Sequence, residues 1–352
     1  MPFPVLPRRA AYITLNAPQR RNALSLAELR SLRDQIIKYN TSPTTGRPLF
    51  LPPFKPSVLG QLELAQAKSI HGSSAAASPS SAPTGTSRSQ YYSPLDNTTE
   101  DYTWLVSARA FAREREGLPS VLVLASQGPV FCSGHDLREL RSLSDDEVRE
   151  TFQICAEVMK LIRRSPALVV GRISGLAIAA GCQLALTTDL PIAHEAVKFR
   201  LPGATLGLPC SSPATAVSRR LGNSRAFRML ATAEDITADE LQDVVRVVRG
   251  GDGPEEQTAV LDQEVARTVE RLTNMSAQQS AMGKWAFWTQ VGLTGRDYVG
   301  ADGAVVEGNG GDGYQDAVEW AGRVMALHAK SEDAKEGMDA FLEKRQAVWH
   351  GS

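Results

Sequence analysis

The sequence predicts an α/β protein in which strand–strand–helix turns stack on one core and a helical C-terminal region follows. Two observations predict it. Short apolar runs bounded by turn residues read as buried strands: AYITL at 11–15, VLVLAS at 121–126, LVVGRIS at 168–174 and LPIA at 190–193. Between them lie helical patterns whose starts carry a capping signature, a hydroxyl or carboxylate residue with Glu three positions on. These pairs are Ser25/Glu28, Asp136/Glu139, Ser144/Glu147 and Thr237/Glu240. Strands alternating with helices build α/β layers.

In chain order, the first strand gives way to a turn-like NAPQRRNAL and a helix to about Tyr39. From 40 to 98 the composition shifts to Ser, Thr, Pro, Gly and Ala, with HGSSAAASPSSAPTGTSRSQ at its centre. Such a stretch buries too little apolar surface to offset its ordering entropy, so it is expected to be a disordered insertion. A helix is expected over Leu105–Arg115, strands at 121–126 and 168–174, a short apolar helix over Leu176–Leu186, and a helix start at Pro213. The expected organisation is a core made of 1–39 and 99–250, the insertion at 40–98, and a helical region at 251–352 interrupted by a Gly-rich linker near 293–313.

Bulk properties exclude several classes of function. The 352 residues are 42% hydrophobic and 22% charged with a net charge of −1, so no basic surface for nucleic acid is expected. No apolar run approaches the roughly 20 residues that cross a bilayer. Cys132, Cys155, Cys182 and Cys210 form no CxxC pair, and the five histidines are scattered, so neither a metal site nor a disulfide framework is expected. Arg8, Arg9, Arg20 and Arg21 precede the first acid, Glu28, as in a transit peptide, yet the first strand begins almost at once.

Two segments share one physical logic. FCSGHD at 131–136 follows the strand VLVLAS, and GLAIAAGC at 175–182 follows LVVGRIS. Each leads from a strand through small residues into a helix start, where unpaired N–H groups and the positive end of the helix dipole meet. Small residues let a ligand carbonyl approach that backbone, and two such donors make an oxyanion hole. The same small residues would also permit tight helix–sheet packing and nothing more.

Together with LNAPQRRNALS at 15–25, FRLPGATLGLPCSSPA at 199–214 and EGMDAFLEKRQAVW at 336–349, these segments resemble the crotonase (enoyl-CoA hydratase/isomerase) superfamily, in the family's order. The variants GHDL, AAGCQL and GLPCSSP look most like a mitochondrial branch of it. The resemblance implies a crotonase (ClpP-like) spiral of ββα units with a C-terminal trimerisation region, assembled as a homotrimer or dimer of trimers. It implies an acyl-CoA ligand, with the coenzyme A thioester as substrate and no further cofactor. By position, the N–H groups of Ser133 and Ala180 would form the oxyanion hole and stabilise a thioester enolate. Arg21, Ala23 and Leu24, with Gly134, His135, Asp136 and Gly181, would lie along coenzyme A, and Phe341 and Lys344 would cover its adenine or meet a phosphate.

The residues depart from the hydratase pattern where the proton chemistry sits. The two glutamates that relatives use fall on Gln183 and Gly203. Gln183 has no titratable proton and Gly203 no side chain, and loss of a general acid or base costs about 10²–10⁴ in rate. This leaves two readings open, an enolate-stabilising enzyme of hydratase/isomerase type in lipid metabolism and a non-catalytic acyl-CoA binder. His135 is a candidate proton carrier or an ordinary polar residue at a loop-to-helix turn. Asp136 reads first as a helix cap, and Cys210-Ser211-Ser212 has no visible base to make a nucleophile. GNGGDG at 308–313 satisfies G-x-G-x-x-G without the βαβ context that a dinucleotide site needs.

Overall fold

The computed structural model describes residues 3–70, 95, 101–206, 208, 210–293, 295–299, 303–306 and 331–349. Two compact units emerge. One joins Met1–Asn40 with Gly117–Met275, and the other joins Thr41–Glu116 with Ser276–Ser352.

The first unit is built from β1 (Ala10–Leu15), α1 (Leu26–Lys38), β2 (Val121–Ser126), α2 (Leu137–Ser142), α3 (Asp145–Arg164), β3 (Leu168–Ile173), β4 (Leu176–Ile178), α4 (Ala180–Thr187), β5 (Leu190–His194), β6 (Lys198–Arg200), α5 (Ser211–Thr232, broken at Gly222), β7 (Ile236–Thr237), β8 (Arg246–Val248) and α6 (Pro254–Thr273). Its main sheet has the order β1-β2-β3-β5-β8 and is parallel throughout. Every residue of β2 is buried, which is why its sequence is an unbroken apolar run and not an alternation. A second, three-stranded sheet has the order β4-β6-β7. It is extended by isolated parallel bridges between Cys132 and Ala177 and between Leu24 and His135. The same turn therefore recurs: a strand of the main sheet, a short step in the second layer, then a helix.

One face of the main sheet packs against α6. Val121, Val123, Ala125, Val170 and Ile192 meet Leu261, Val265 and Val269. On α1 and α3, which pack together, Leu29, Leu32, Ile36, Ile154, Val158, Leu161 and Ile162 are fully buried. Helix α3 carries a complete capping box: the Glu147 N–H donates to Ser144 Oγ at 3.4 Å and the Ser144 N–H to Glu147 Oε2 at 2.8 Å. Its first turn is acidic and its last turn basic, matching the helix dipole.

The structure departs from the sequence reading in several places. Residues 176–186 are not one helix: Leu176–Ile178 pairs in parallel with Lys198–Arg200, and the helix begins only at Ala180. That strand depends on a partner twenty-two residues away, so local pattern could not show it. The segment expected to be disordered from 40 is ordered over 41–70. Leu49, Phe50 and Leu51 are buried and a helix spans Val58–Ile70. Small apolar clusters there were averaged away in a Ser/Pro-rich composition. The centre of that segment, 71–94 and 96–98, lies outside the described residues. Finally, α6 belongs to the sheet core through Leu261, Val265 and Val269, so the first unit extends to Met275 rather than ending at 250.

In the second unit the helix expected over Leu105–Arg115 is two pieces, Thr103–Val106 and Ala108–Glu114. Ser107 ends the first piece and caps the second, accepting the Ala110 N–H at 3.4 Å. Among the described residues the unit also holds helices Ala277–Val291 and Glu332–Glu343, with an antiparallel pair of Tyr298–Val299 and Val305–Val306 inside the expected linker. The glycine-rich run 308–313 lies outside the described residues.

Candidate functional site

The turns that follow β2 and β3 are laced together. The Phe131 N–H donates to Ser174 O (2.9 Å), Cys132 N–H to Leu176 O (3.2 Å) and Ile178 N–H to Cys132 O (2.9 Å). This pairing sets residues 133–134 beside 179–181. Gly134 has φ +89°, and a Cβ on it would lie 3.0 Å from Ala179 Cβ and 3.6 Å from Ala180 N. A Cβ on Gly181 would lie 2.8 Å from Cys132 Cβ. Only glycine permits either approach.

Ala180 is fully buried at the first position of α4, and its N–H meets no protein acceptor among the described residues. Ala179, which caps the helix, has φ 49° and ψ −117°, a conformation an L-residue adopts only under constraint. The other candidate donor is differently placed: the Ser133 N–H donates to Arg21 O at 3.1 Å. In this conformation one of the two amides is unpaired and the other is engaged by the chain's own N-terminal turn.

That turn is held by a residue the sequence reading passed over. Arg21 and Asn22 are consecutive left-handed residues, both at φ 52°. Asn22 is fully buried, accepts the Ala17 N–H at 2.9 Å through Oδ1, and donates through Nδ2 to Gln127 O (2.8 Å) and Val130 O (2.7 Å). An Asn in a turn of this kind is itself a signal, because Asn tolerates left-handed backbone and bonds neighbouring main chain. Beyond it, the Leu24 N–H donates to Gly134 O (2.7 Å) and the Asp136 N–H to Leu24 O (3.3 Å). Arg21, Ala23 and Leu24 thus lie alongside Gly134, His135 and Asp136, but the Ala23 and Leu24 side chains are buried and only Arg21 projects outward.

Asp136 acts as a helix cap. Its Oδ1 accepts the N–H groups of Arg138 (3.1 Å) and Glu139 (3.2 Å), and Oδ2 pairs with Arg20 at 3.2 Å. Glu139 does not close the box; its Oε2 accepts the Leu26 N–H at 3.0 Å, tying the start of α1 to α2. His135 packs edge-on to Phe152 with ring centroids 4.9 Å apart, and its buried Nδ1 meets no partner. Burial holds its pKa below the ordinary imidazole value, against a smaller opposing effect of the Leu24 backbone.

The two positions that bear glutamates in hydratases are structurally unlike. Gln183, on α4, is 5% exposed; its Nε2 makes long contacts to Ser212 Oγ (3.4 Å) and Thr215 Oγ1 (3.5 Å), and its Oε1 has none. Gly203 sits in a closed loop, where the Leu208 N–H donates to its carbonyl (2.9 Å) and its own N–H donates to Cys210 Sγ (3.3 Å). A Cβ there would fall against the Leu208 carbonyl and 2.8 Å from Cys210 Sγ. The Cys210 thiol is pushed up by burial, which opposes a nucleophilic role.

Phe341 lies on helix Glu332–Glu343 and Lys344 follows it, exposed, at φ 56°; both belong to the second unit. Among the described residues no group of side chains could hold a metal ion, and no helix is long and apolar enough to cross a membrane.

Comparison with known proteins agrees with this geometry. The family model for enoyl-CoA hydratase/isomerase matches residues 101–307. The mitochondrial enoyl-CoA hydratase domain-containing protein 3 of Rattus norvegicus is 35% identical over 233 residues, which cover 65% of this chain and 69% of the relative. The Homo sapiens protein of that name is 34% identical over 231 residues, covering 65% and 68%. The crystal structure of the human protein superposes with a TM-score of 0.63 at 25% identity, covering 98% of each chain. An enoyl-CoA hydratase of Mycobacterium smegmatis gives 0.62 at 27% identity, covering 97% and 96%. The sheet order, the strand–strand–helix turns and these matches agree, and the chain belongs to the crotonase, or enoyl-CoA hydratase/isomerase, family.

Proposed function

We propose that the chain binds an acyl-CoA thioester with its carbonyl oxygen at the start of α4 and stabilises the enolate formed there. The observation that supports this is the unpaired Ala180 N–H at a helix N-terminus, close to Gly134 across the lacing of two turns. A backbone donor preorganised at a developing oxyanion contributes roughly 10²–10³ in rate. The Ser133 N–H becomes the second donor when the Arg21 carbonyl turns aside or shares it. The ligand's adenine and pantetheine run along 21–24 and 134–136, and Phe341 and Lys344 contribute from the C-terminal region of a trimer. The reaction belongs to lipid metabolism, and the names of the relatives support a mitochondrial location.

A second reading, a non-catalytic acyl-CoA binder, is favoured by Gly203, whose surroundings admit no carboxylate. One experiment separates the two. Butyryl-CoA is incubated with the protein in D₂O and its α-protons are followed by NMR, while binding is measured by calorimetry. Enzyme-dependent loss of the α-proton signal supports enolate chemistry. Binding without exchange supports the binder, and absence of binding rejects both. Hydration of crotonyl-CoA is expected to be at least about 10² slower than a two-glutamate enzyme achieves.

A further inference from the structure

The carboxyl ends of β2, β3 and β5 open on a cavity of about 310 Å³, lined among others by Ser126, Arg172, Ser174, His194 and Asp262. Of these residues only Ser174 touches the junction at 133 and 180, and it does so through its backbone carbonyl, which accepts the Phe131 N–H. Crevices outside the carboxyl ends of parallel strands are the usual ligand sites of α/β sheets.

Three features of this cavity are unexplained by packing. Arg172 is 4% exposed, yet only its Nε is paired, with Asp262 Oδ1 at 2.5 Å. Its guanidinium also lies 5.4 Å from the Phe3 ring centroid, and its two terminal nitrogens have no hydrogen bond among the described residues. Ser126, 1% exposed, has a buried hydroxyl without a partner, and so does Ser174 on the neighbouring strand end. Buried polar groups in native proteins are paired as a rule, so two orphaned hydroxyls in a cavity that also presents an Arg172 edge without a protein partner among the described residues point to a missing ligand.

We propose that this cavity binds a small monocarboxylate through Arg172, Ser126 and Ser174. A guanidinium edge matches the two oxygens of a carboxylate, and hydroxyl donors complete its shell. The surrounding charge selects against a dianion. Asp262 and Glu255 line the cavity, and the Ala196 N–H occupies His194 Nδ1 at 3.2 Å while His194 Nε2 lies 3.0 Å from Gly250 O, so both ring nitrogens are already engaged by backbone. The site is independent of the thioester reading.

The test uses the full chain and acetate as the probe, with inorganic phosphate in parallel, titrated at constant ionic strength and read by calorimetry. Wild type should bind acetate saturably and about tenfold or more tightly than phosphate. Ser126→Ala/Ser174→Ala should weaken acetate by about tenfold, and Ser126→Ala alone should weaken it while leaving acyl-CoA affinity unchanged. Arg172→Lys should abolish it; if that variant fails to fold, the serine variants decide. Absence of saturable binding, phosphate binding as tight as acetate, or equal affinity in the serine variants (an adventitious ion only) would overturn the proposal.

Discussion

The Leu208 N–H donates to the Gly203 carbonyl at 2.9 Å, closing a loop that leaves position 203 no room for a side chain. A hydratase needs a carboxylate there, and simple replacement cannot supply one. Gln183→Glu combined with Gly203→Glu is therefore expected to remain inactive on crotonyl-CoA. Gly203→Ala alone should cost about 1–3 kcal/mol of stability, since its Cβ would lie 2.7 Å from Cys210 N. Loss of crotonyl-CoA absorbance and urea unfolding check the two statements, and hydration by the double variant would show that the loop reopens freely.

Gly134 and Ala179 give opposite predictions at one contact. Gly134→Ala introduces a Cβ 3.0 Å from Ala179 Cβ at a φ of +89°, so it should destabilise by about 1–3 kcal/mol and push the start of α4 out of line. Butyryl-CoA affinity should fall about tenfold or more in calorimetry. Ala179→Gly relieves a residue at φ 49° and should raise stability by about 1 kcal/mol, read as a higher urea midpoint.

Four of the five main-sheet strands were legible in sequence as short apolar runs, most plainly the wholly buried β2, whereas β8 was not, because Arg246 is exposed and Val247 only half-buried. The capping pairs at Ser25, Asp136 and Ser144 marked real helix starts. The departures share a physical cause. Strand Leu176–Ile178 exists only through its pairing with Lys198–Arg200. The order over 41–70 rests on a few buried residues such as Phe50 inside a polar composition. At the site, residue type identified Gln183 and Gly203, but only coordinates could place Arg21 O on the Ser133 N–H or Cys210 Sγ against Gly203.

Asn22 is expected to be the most sensitive residue of the N-terminal turn. Asn22→Ala strands the Gln127 and Val130 carbonyls and removes the acceptor for Ala17, all in a fully buried setting. An unsatisfied buried group costs about 1–3 kcal/mol, so a loss of about 3 kcal/mol in denaturant unfolding is expected. Asn22→Asp tests the mechanism: it keeps the size and left-handed tolerance but cannot donate, and should recover little of that loss.

The thiols predict how stability responds to alkali. Burial pushes Cys132, Cys155 and Cys182 each up to about 12 in the folded chain, whereas in the unfolded chain they ionise near 9. Tyr12 is likewise raised to about 12, first by burial and then by Asp262. A group raised on folding contributes its full stability while pH stays below its unfolded value, because both states hold the proton. Above that value the unfolded chain releases protons the native chain retains, and the contribution is lost as pH climbs toward the folded value. Urea midpoints should therefore be level from pH 7 to 8.5 and fall steadily between 9 and 11. The same burial should make all four cysteines inert to a thiol reagent at pH 8 until denaturant is added. Rapid labelling of Cys182 in the native protein would mean that the start of α4 opens far more readily than its packing against Cys132 allows.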